Sequence, residues 1–197
     1  MAMLACAAET CEEILEGLRS YKLALPDALL QELAGNFARD APIDIDPEDI
    51  RHLLARPGQT MVLRGCFQDG CEIDQPLTTL LAAATANGVE LSTVTGALLV
   101  IKASSPMRRK IWDTSLSSMP LCLAGALHSD AVCGHALYTD ETLGSVMSLL
   151  MVFSGVGVMG IDGLDAEGAG RSVALQGQGC FELPAFLQKS QSQESRQ

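Results

Sequence analysis

Apolar residues recur at helical spacing in the first quarter of the chain. One stripe predicts an amphipathic helix and contains Leu4, Cys11, Leu15 and Leu18. A second helix is predicted from Pro26 to Phe37. A third is predicted to begin after Asp46 and to continue through Leu54, because Asp46-Pro47 is a typical N-cap and first helical residue.

After residue 55 the pattern changes to short apolar runs that alternate with helical segments. Strands are predicted at 60–66, 96–101, 131–138 and 146–153, and helices at 76–87 and 106–127. Pro120 is expected to break or kink the last of these helices. This alternation predicts an α/β (α+β) fold with a sheet of about four strands and flanking helices.

Composition divides the chain into four segments. With 48% hydrophobic residues, a chain of 197 residues can bury one sizeable core. We expect N-terminal helices over residues 1–41 and the sheet domain over 42–153. Eight glycines without periodicity predict a flexible linker over 154–179, followed by a tail over 180–197 that contains an apolar island at 181–187.

Charge and cysteine content narrow the class of function. The net charge of −11 opposes binding to nucleic acid or to an anionic membrane. Seven cysteines, an odd number, without a secretory signal indicate free thiols in a reducing compartment. We therefore expect a cytoplasmic protein with no disulfide framework.

Three other patterns are better explained by ordinary structure. The uncharged stretch 142–161 fits a core strand better than a membrane span, because it contains glycines and serines and has no basic flank. The dinucleotide-like GVGVMG at 155–160 has no helix after it to hold a pyrophosphate. The set Cys122, His128, Cys133 and His135 lacks a zinc-module spacing, so no metal site is predicted.

The candidate site is the start of the third helix. Asp46 and Asp49 lie three residues apart, so their carboxylates are expected on the same side of the first turn. One interpretation is a helix cap with acidic residues against the positive end of the dipole, which needs no partner. The other is a pair of carboxylates that acts on a ligand or on a partner protein.

Three segments together resemble the FtsZ and tubulin cytoskeletal GTPases. Residues 43–51, Ile-Asp-Ile-Asp-Pro-Glu-Asp-Ile-Arg, are similar to the FtsZ synergy loop, N-V-D-F-A-D-V-R. Residues 131–144, which end Tyr-Thr-Asp-Glu-Thr-Leu-Gly, resemble the FtsZ strand and turn I-I-F-G-A-V-I-D-E-S-L-G. Residues 181–189, Phe-Glu-Leu-Pro-Ala-Phe-Leu-Gln-Lys, resemble the FtsZ tail peptide D-I-P-A-F-L-R-K.

The resemblance covers roughly residues 22–189 and implies the C-terminal half and tail of FtsZ without its GTP-binding domain, since the loop G-G-G-T-G-T-G is not in the sequence. It implies that Asp46 and Asp49 orient the attacking water in trans, beside synergy-loop contacts from Asp44, Glu48 and Arg51. GTP and Mg would be present only at the interface with a partner subunit, and the chain alone would bind no cofactor.

The resemblance also implies partners. One is a full-length FtsZ or a separate nucleotide-binding half, and the others are division proteins that bind FtsZ tails, which suggests a location at the division site. The tail contacts would be Leu183, Pro184, Phe186, Leu187 and Lys189. The alternative is an independent small α/β enzyme or ligand-binding domain that uses Asp46 and Asp49 with a histidine such as His52.

Overall fold

The chain contains six α-helices and five strands within the residues that the structure, a computed structural model, describes. These residues are 10–23, 25–38, 43, 45–68, 74–115, 118–157 and 171–174. The helices are α1 (Cys11–Ser20), α2 (Asp27–Phe37), α3 (Pro47–Leu54), α4 (Asp74–Ala86), α5 (Ser105–Ser115) and α6 (Ser118–Ala126). The strands are β1 (Gln59–Gln68), β2 (Gly96–Ala103), β3 (Val132–Thr139), β4 (Val146–Val156) and β5 (Arg171–Ala174).

The strands form one mixed sheet in the order β3-β2-β4-β1-β5. Strand β4 runs antiparallel to both of its neighbours, β2 and β1. The two outer pairs, β2 with β3 and β1 with β5, are parallel. Most of the uncharged stretch 142–161 is therefore the central strand β4, which explains why it is almost continuously apolar.

Helices cover both faces of the sheet. Helices α1, α2 and α3 lie over one face, where Leu18, Leu33 and Ile50 pack with Leu98 and Val152. Helices α4, α5 and α6 lie over the opposite face, where Leu80, Met107 and Leu123 share a core with Leu99 and Phe153. Successive side chains of β2 and β4 thus pack alternately in the two cores, because neighbouring residues of a strand point to opposite faces of the sheet.

An ion-pair network attaches helix α2 to its face of the sheet. The Glu32 carboxylate lies 2.6 Å from Arg64 Nη1 on β1 and 3.4 Å from Lys102 Nζ on β2. One carboxylate therefore faces two cations from strands on either side of β4.

The α/β fold class predicted from the sequence is confirmed. The segment 106–127 forms two helices, as a break near Pro120 predicts, but the division lies before this proline, since α5 ends at Ser115 and α6 begins at Ser118. Regular structure also extends into the predicted linker, since β4 continues to Val156 and β5 lies at Arg171–Ala174. Nothing further is described for 158–170 or 175–179.

No helix among the described residues combines the length and the apolar character needed to cross a bilayer.

Candidate functional site: the acidic start of helix α3

Helix α3 begins where the sequence predicts. Asp46 is the N-cap, with extended backbone at φ −62° and ψ 137°, and Pro47 is the first helical residue. The Asp46 Oδ1 atom accepts a hydrogen bond of 2.7 Å from the backbone N–H of Glu48. The capping interpretation is therefore realised, and Asp46 stabilises the helix start whatever else it does.

The segment before α3 is attached to the sheet by its backbone. Leu137 on β3 donates a hydrogen bond of 3.1 Å to the carbonyl oxygen of Ile43, which forms an antiparallel bridge. Ile45 is buried in the core beneath α1 to α3. These contacts fix the approach to Asp46 relative to β3.

The other end of α3 is attached to β4. The hydroxyl of Ser154, which is fully buried, donates a hydrogen bond of 2.6 Å to the carbonyl oxygen of Leu53. This bond satisfies one of the last-turn carbonyl groups that a helix leaves without an internal partner. A backbone hydrogen bond from Ala55 N–H to the carbonyl of Arg51 closes the helix at the same end.

Two glycines in the sheet make room for α3. A Cβ atom at Gly96 on β2 would lie 1.9 Å from the Leu53 carbonyl oxygen and 2.3 Å from Ser154 Oγ. A Cβ atom at Gly134 on β3 would lie 2.5 Å from Leu53 Cδ1. The last turn of α3 therefore packs directly on strand backbone, and larger residues at these glycines would displace it.

This attachment leaves the acidic residues of α3 on the surface. Ile50, Leu53 and Leu54 are buried against the sheet, whereas Asp46, Glu48 and Asp49 are exposed. The structure thus brings Asp46 and Asp49 together on one exposed first turn. Acidic residues at this position also interact favourably with the helix dipole.

Glu48 is paired within the same helix. Its carboxylate binds the guanidinium of Arg51, with Arg51 Nε 3.0 Å from Glu48 Oε1, and His52 Nε2 lies 3.6 Å from the same oxygen. The hydrogen bond from Arg51 lowers the pKa of Glu48. Glu48 is therefore a partly compensated charge at this surface, and Arg51 orients it.

Tyr21, just after α1, completes this cluster and was not identified from the sequence. The Arg51 guanidinium carbon lies 5.9 Å from the centre of the Tyr21 ring, within the range of a cation–π contact. Desolvation raises the pKa of Tyr21, and a hydrogen bond with Glu48 raises it further. The end of α1 thus supports the charged face of α3, a contact that no local pattern indicates.

The remaining predicted site residues lie outside the described residues. Asp44 and the whole tail peptide belong to this group, which comprises Asp44, Leu183, Pro184, Phe186, Leu187 and Lys189. Their roles stay predictions.

The dinucleotide-like motif GVGVMG has a structural role in its described part. Gly155 has a φ of 67°, and a Cβ atom there would lie 2.0 Å from Thr95 Oγ1. The N–H of Gly157 donates to Thr93 Oγ1 at 2.7 Å. Gly155 and Gly157 therefore pack the end of β4 against the turn that precedes β2.

Among the described residues, no group of three or more His, Cys, Asp or Glu side chains could hold a metal ion. Cys133 and His135 are both partly buried on β3. Burial raises the pKa of Cys133 and lowers that of His135, so both side chains favour their neutral forms.

Comparison with solved structures shows that the fold of this chain is of the FtsZ and tubulin type. An FtsZ W319Y mutant from M. jannaschii has a TM-score of 0.52 at 20% identity, over 66% of this chain and 39% of that protein. An FtsZ dimer from M. jannaschii has a TM-score of 0.50 at 18% identity, and the match covers 74% of this chain and 44% of that protein. A structure of TubZ protofilaments from Bacillus thuringiensis serovar israelensis has a TM-score of 0.45 at 15% identity, and the match covers 67% of this chain and 37% of that protein.

The chain spans less than half of the length of the FtsZ structures that it matches. No protein-family model and no curated protein matches the sequence. The comparisons therefore establish the fold.

Proposed function

We propose that this chain is an FtsZ-like cytoskeletal protein that acts on the filaments of a full-length FtsZ. It corresponds in this proposal to the C-terminal half of FtsZ. It presents the start of α3 to the GTP face of a filament subunit. A separate nucleotide-binding half is the other partner that this surface would fit.

The observation that supports this proposal most is that the exposed acidic start of α3 belongs to a segment attached to the sheet at both ends. The Ile43–Leu137 bridge holds one end of this segment, and the Ser154–Leu53 hydrogen bond holds the other. Catalysis of phosphoryl transfer depends mainly on positioning and electrostatics, so a carboxylate surface on a fixed scaffold suits it. The fold that this chain shares with FtsZ supports a filament subunit of that type as the partner.

In this proposal Asp46 and Asp49 act in trans. GTP and Mg would be held by the partner subunit, where the metal charge would offset the repulsion between the phosphates and the aspartates of this chain. Asp46 and Asp49 would orient the attacking water, and Asp46 would do so while it caps α3. Because Arg51 pairs with Glu48, one further negative charge beside the aspartates is compensated.

The tail supplies the second contact of the proposal. Leu183, Phe186 and Leu187 are the apolar anchors of a short peptide that orders when it binds a division protein, with Pro184 and Lys189 beside them. The two contacts together would locate the protein in the cytoplasm at the division site.

The test is co-sedimentation with FtsZ polymers formed in the presence of GTP. Alanine at Asp46 would remove a cap as well as a charge, so the informative variant is Asp46→Asn plus Asp49→Asn. Asparagine caps a helix about as well as aspartate. The proposal predicts that the parent protein changes the amount of pelleted polymer and that the double variant does not.

A matched control removes two exposed charges elsewhere. Asp130 and Glu141 are exposed and lie outside α1, α3 and α5, and Asp130→Asn plus Glu141→Gln should behave like the parent protein in this assay. If neither the parent nor any variant changes the polymer or enters the pellet, the chain does not act on FtsZ filaments and the proposal is wrong.

A further inference from the structure

Helix α5 presents a basic and aromatic surface in an otherwise acidic protein. Arg108, Arg109 and Lys110 are consecutive, and only 13 basic residues occur in the chain. Arg108 donates a hydrogen bond of 2.8 Å to Thr139, and the side chains of Arg109 and Lys110 are exposed. The sequence of α5 has three basic residues and one acidic residue.

Trp112 lies next to these cations. It is the single tryptophan of the chain, and 48% of its surface is exposed although Met107 and Ile111 of the same helix are buried. Arg109 and Trp112 are three residues apart and therefore neighbours on the helix surface. Tryptophan and arginine are the residue types most enriched at the energetic centres of protein interfaces.

Helix α1 has the complementary surface. It contains three exposed glutamates, Glu12, Glu13 and Glu16, while its one cation, Arg19, forms an ion pair of 2.8 Å with Asp27. Leu15 lies beside Glu16 and is only partly buried, so it offers an apolar surface to an aromatic ring.

The two surfaces cannot meet within one molecule. Helix α1 packs in the core on one face of the sheet and helix α5 in the core on the other. A contact between different surfaces of two copies is heterologous, and unless its rotation closes into a ring it leaves a free surface at each end for further copies.

We propose that the Arg109–Trp112 surface of α5 binds the glutamate surface of α1 on a second copy of this chain, and that copies associate head to tail through this contact. The contact is independent of the acidic start of α3, which stays exposed in the assembly. At about 0.15 M salt the Debye length is about 8 Å, so the net charge of −11 is screened between copies while charges in direct contact still attract.

Sedimentation velocity of the whole chain over a range of concentrations tests this contact. Two variants each remove one half of it, Arg109→Ala plus Trp112→Ala on α5, and Glu12→Gln plus Glu16→Gln on α1. Each variant alone should associate at least about tenfold more weakly than the parent, as expected for the loss of interface hot spots. Circular dichroism melting of each variant checks that it is folded.

A mixture of the two variants gives the decisive result. Each variant retains the half that the other lacks, so an equimolar mixture should form a dimer and nothing larger. Asp46→Asn plus Asp49→Asn should associate like the parent. The proposal is wrong if the parent stays monomeric, if the mixed variants do not pair, or if the α3 variant loses association.

Discussion

Gly96 has a steric role that its position inside a strand does not suggest. A Cβ atom at this position would lie 1.9 Å from the Leu53 carbonyl oxygen in the last turn of α3, so Gly96→Ala must push α3 away from β2. Overpacking of this kind costs about 1–3 kcal/mol of unfolding free energy. We expect a urea titration to show that the variant has lost at least about 2 kcal/mol of unfolding free energy.

Gly125 on α6 is the matched control for Gly96. No atom lies within 4 Å of a Cβ built there, and the residue is within a helix. Gly125→Ala should therefore be neutral or stabilise the fold by up to about 1 kcal/mol. If the two substitutions have equal effects, α3 is not packed on β2 as described.

His135 makes stability depend on pH in a defined direction. Burial lowers its pKa below the ordinary value of 6.5, so the unfolded chain binds a proton at a pH where the folded chain does not. Stability should therefore fall as pH decreases from about 6.5 to the folded pKa, and His135→Gln should reduce this loss. The measurement is the urea midpoint of the parent protein and of His135→Gln at pH 7.5 and 5.5. An equal decrease of the midpoint in both proteins would contradict the prediction.

At the residue scale, sequence reasoning identified what is local and missed what is distant. Asp46 and Pro47 are adjacent, so the start of α3 could be predicted from two residues. Ser154 lies 101 residues from its partner Leu53, and Tyr21 meets Arg51 only through the packing of α1 on α3. No periodicity carries such information, because these contacts depend on strand register and helix docking.

Helix α3 is short, so its cap should matter measurably. It has eight residues, and Asp46 Oδ1 satisfies one of its first N–H groups. Asp46→Ala should lower the unfolding free energy by about 1 kcal/mol, whereas Asp46→Asn should change it by only a few tenths. Thermal or urea unfolding measures both, and equal losses would mean that the charge of Asp46, not its hydrogen bond, stabilises α3.

At the scale of elements, hydrophobic periodicity predicted most of the sheet and its helices. The four long strands and α2 to α4 lie within a few residues of their predicted bounds, since each has a strong apolar pattern. The division of 106–127 into α5 and α6 was expected at Pro120, but its position before Ser118 was not predicted, because the apolar pattern continues through it. Strand β5 has four residues in a glycine-rich segment, and its pairing with β1 comes from the tertiary fold.

At the scale of the whole molecule, the tail and the sheet domain should act separately. The proposed docking peptide at 181–189 lies after the sheet in the chain, so in this proposal a chain that stops at residue 179 keeps the unfolding midpoint of the parent. It should lose binding to any division protein that recognises FtsZ tails, which fluorescence anisotropy can measure. Tail-binding proteins that bind the shortened chain as tightly as the parent would rule out the proposed role of Phe186 and its neighbours.

The central claim, that the start of α3 acts on nucleotide held by another subunit, is tested most directly by the rate of GTP hydrolysis by a full-length FtsZ. The rate is measured as increasing amounts of this protein are added. We predict a concentration-dependent change with the parent protein, and its loss with Asp46→Asn plus Asp49→Asn, while Asp130→Asn plus Glu141→Gln resembles the parent. An unchanged rate at every concentration, or an equal effect of the parent and the α3 variant, would contradict the claim.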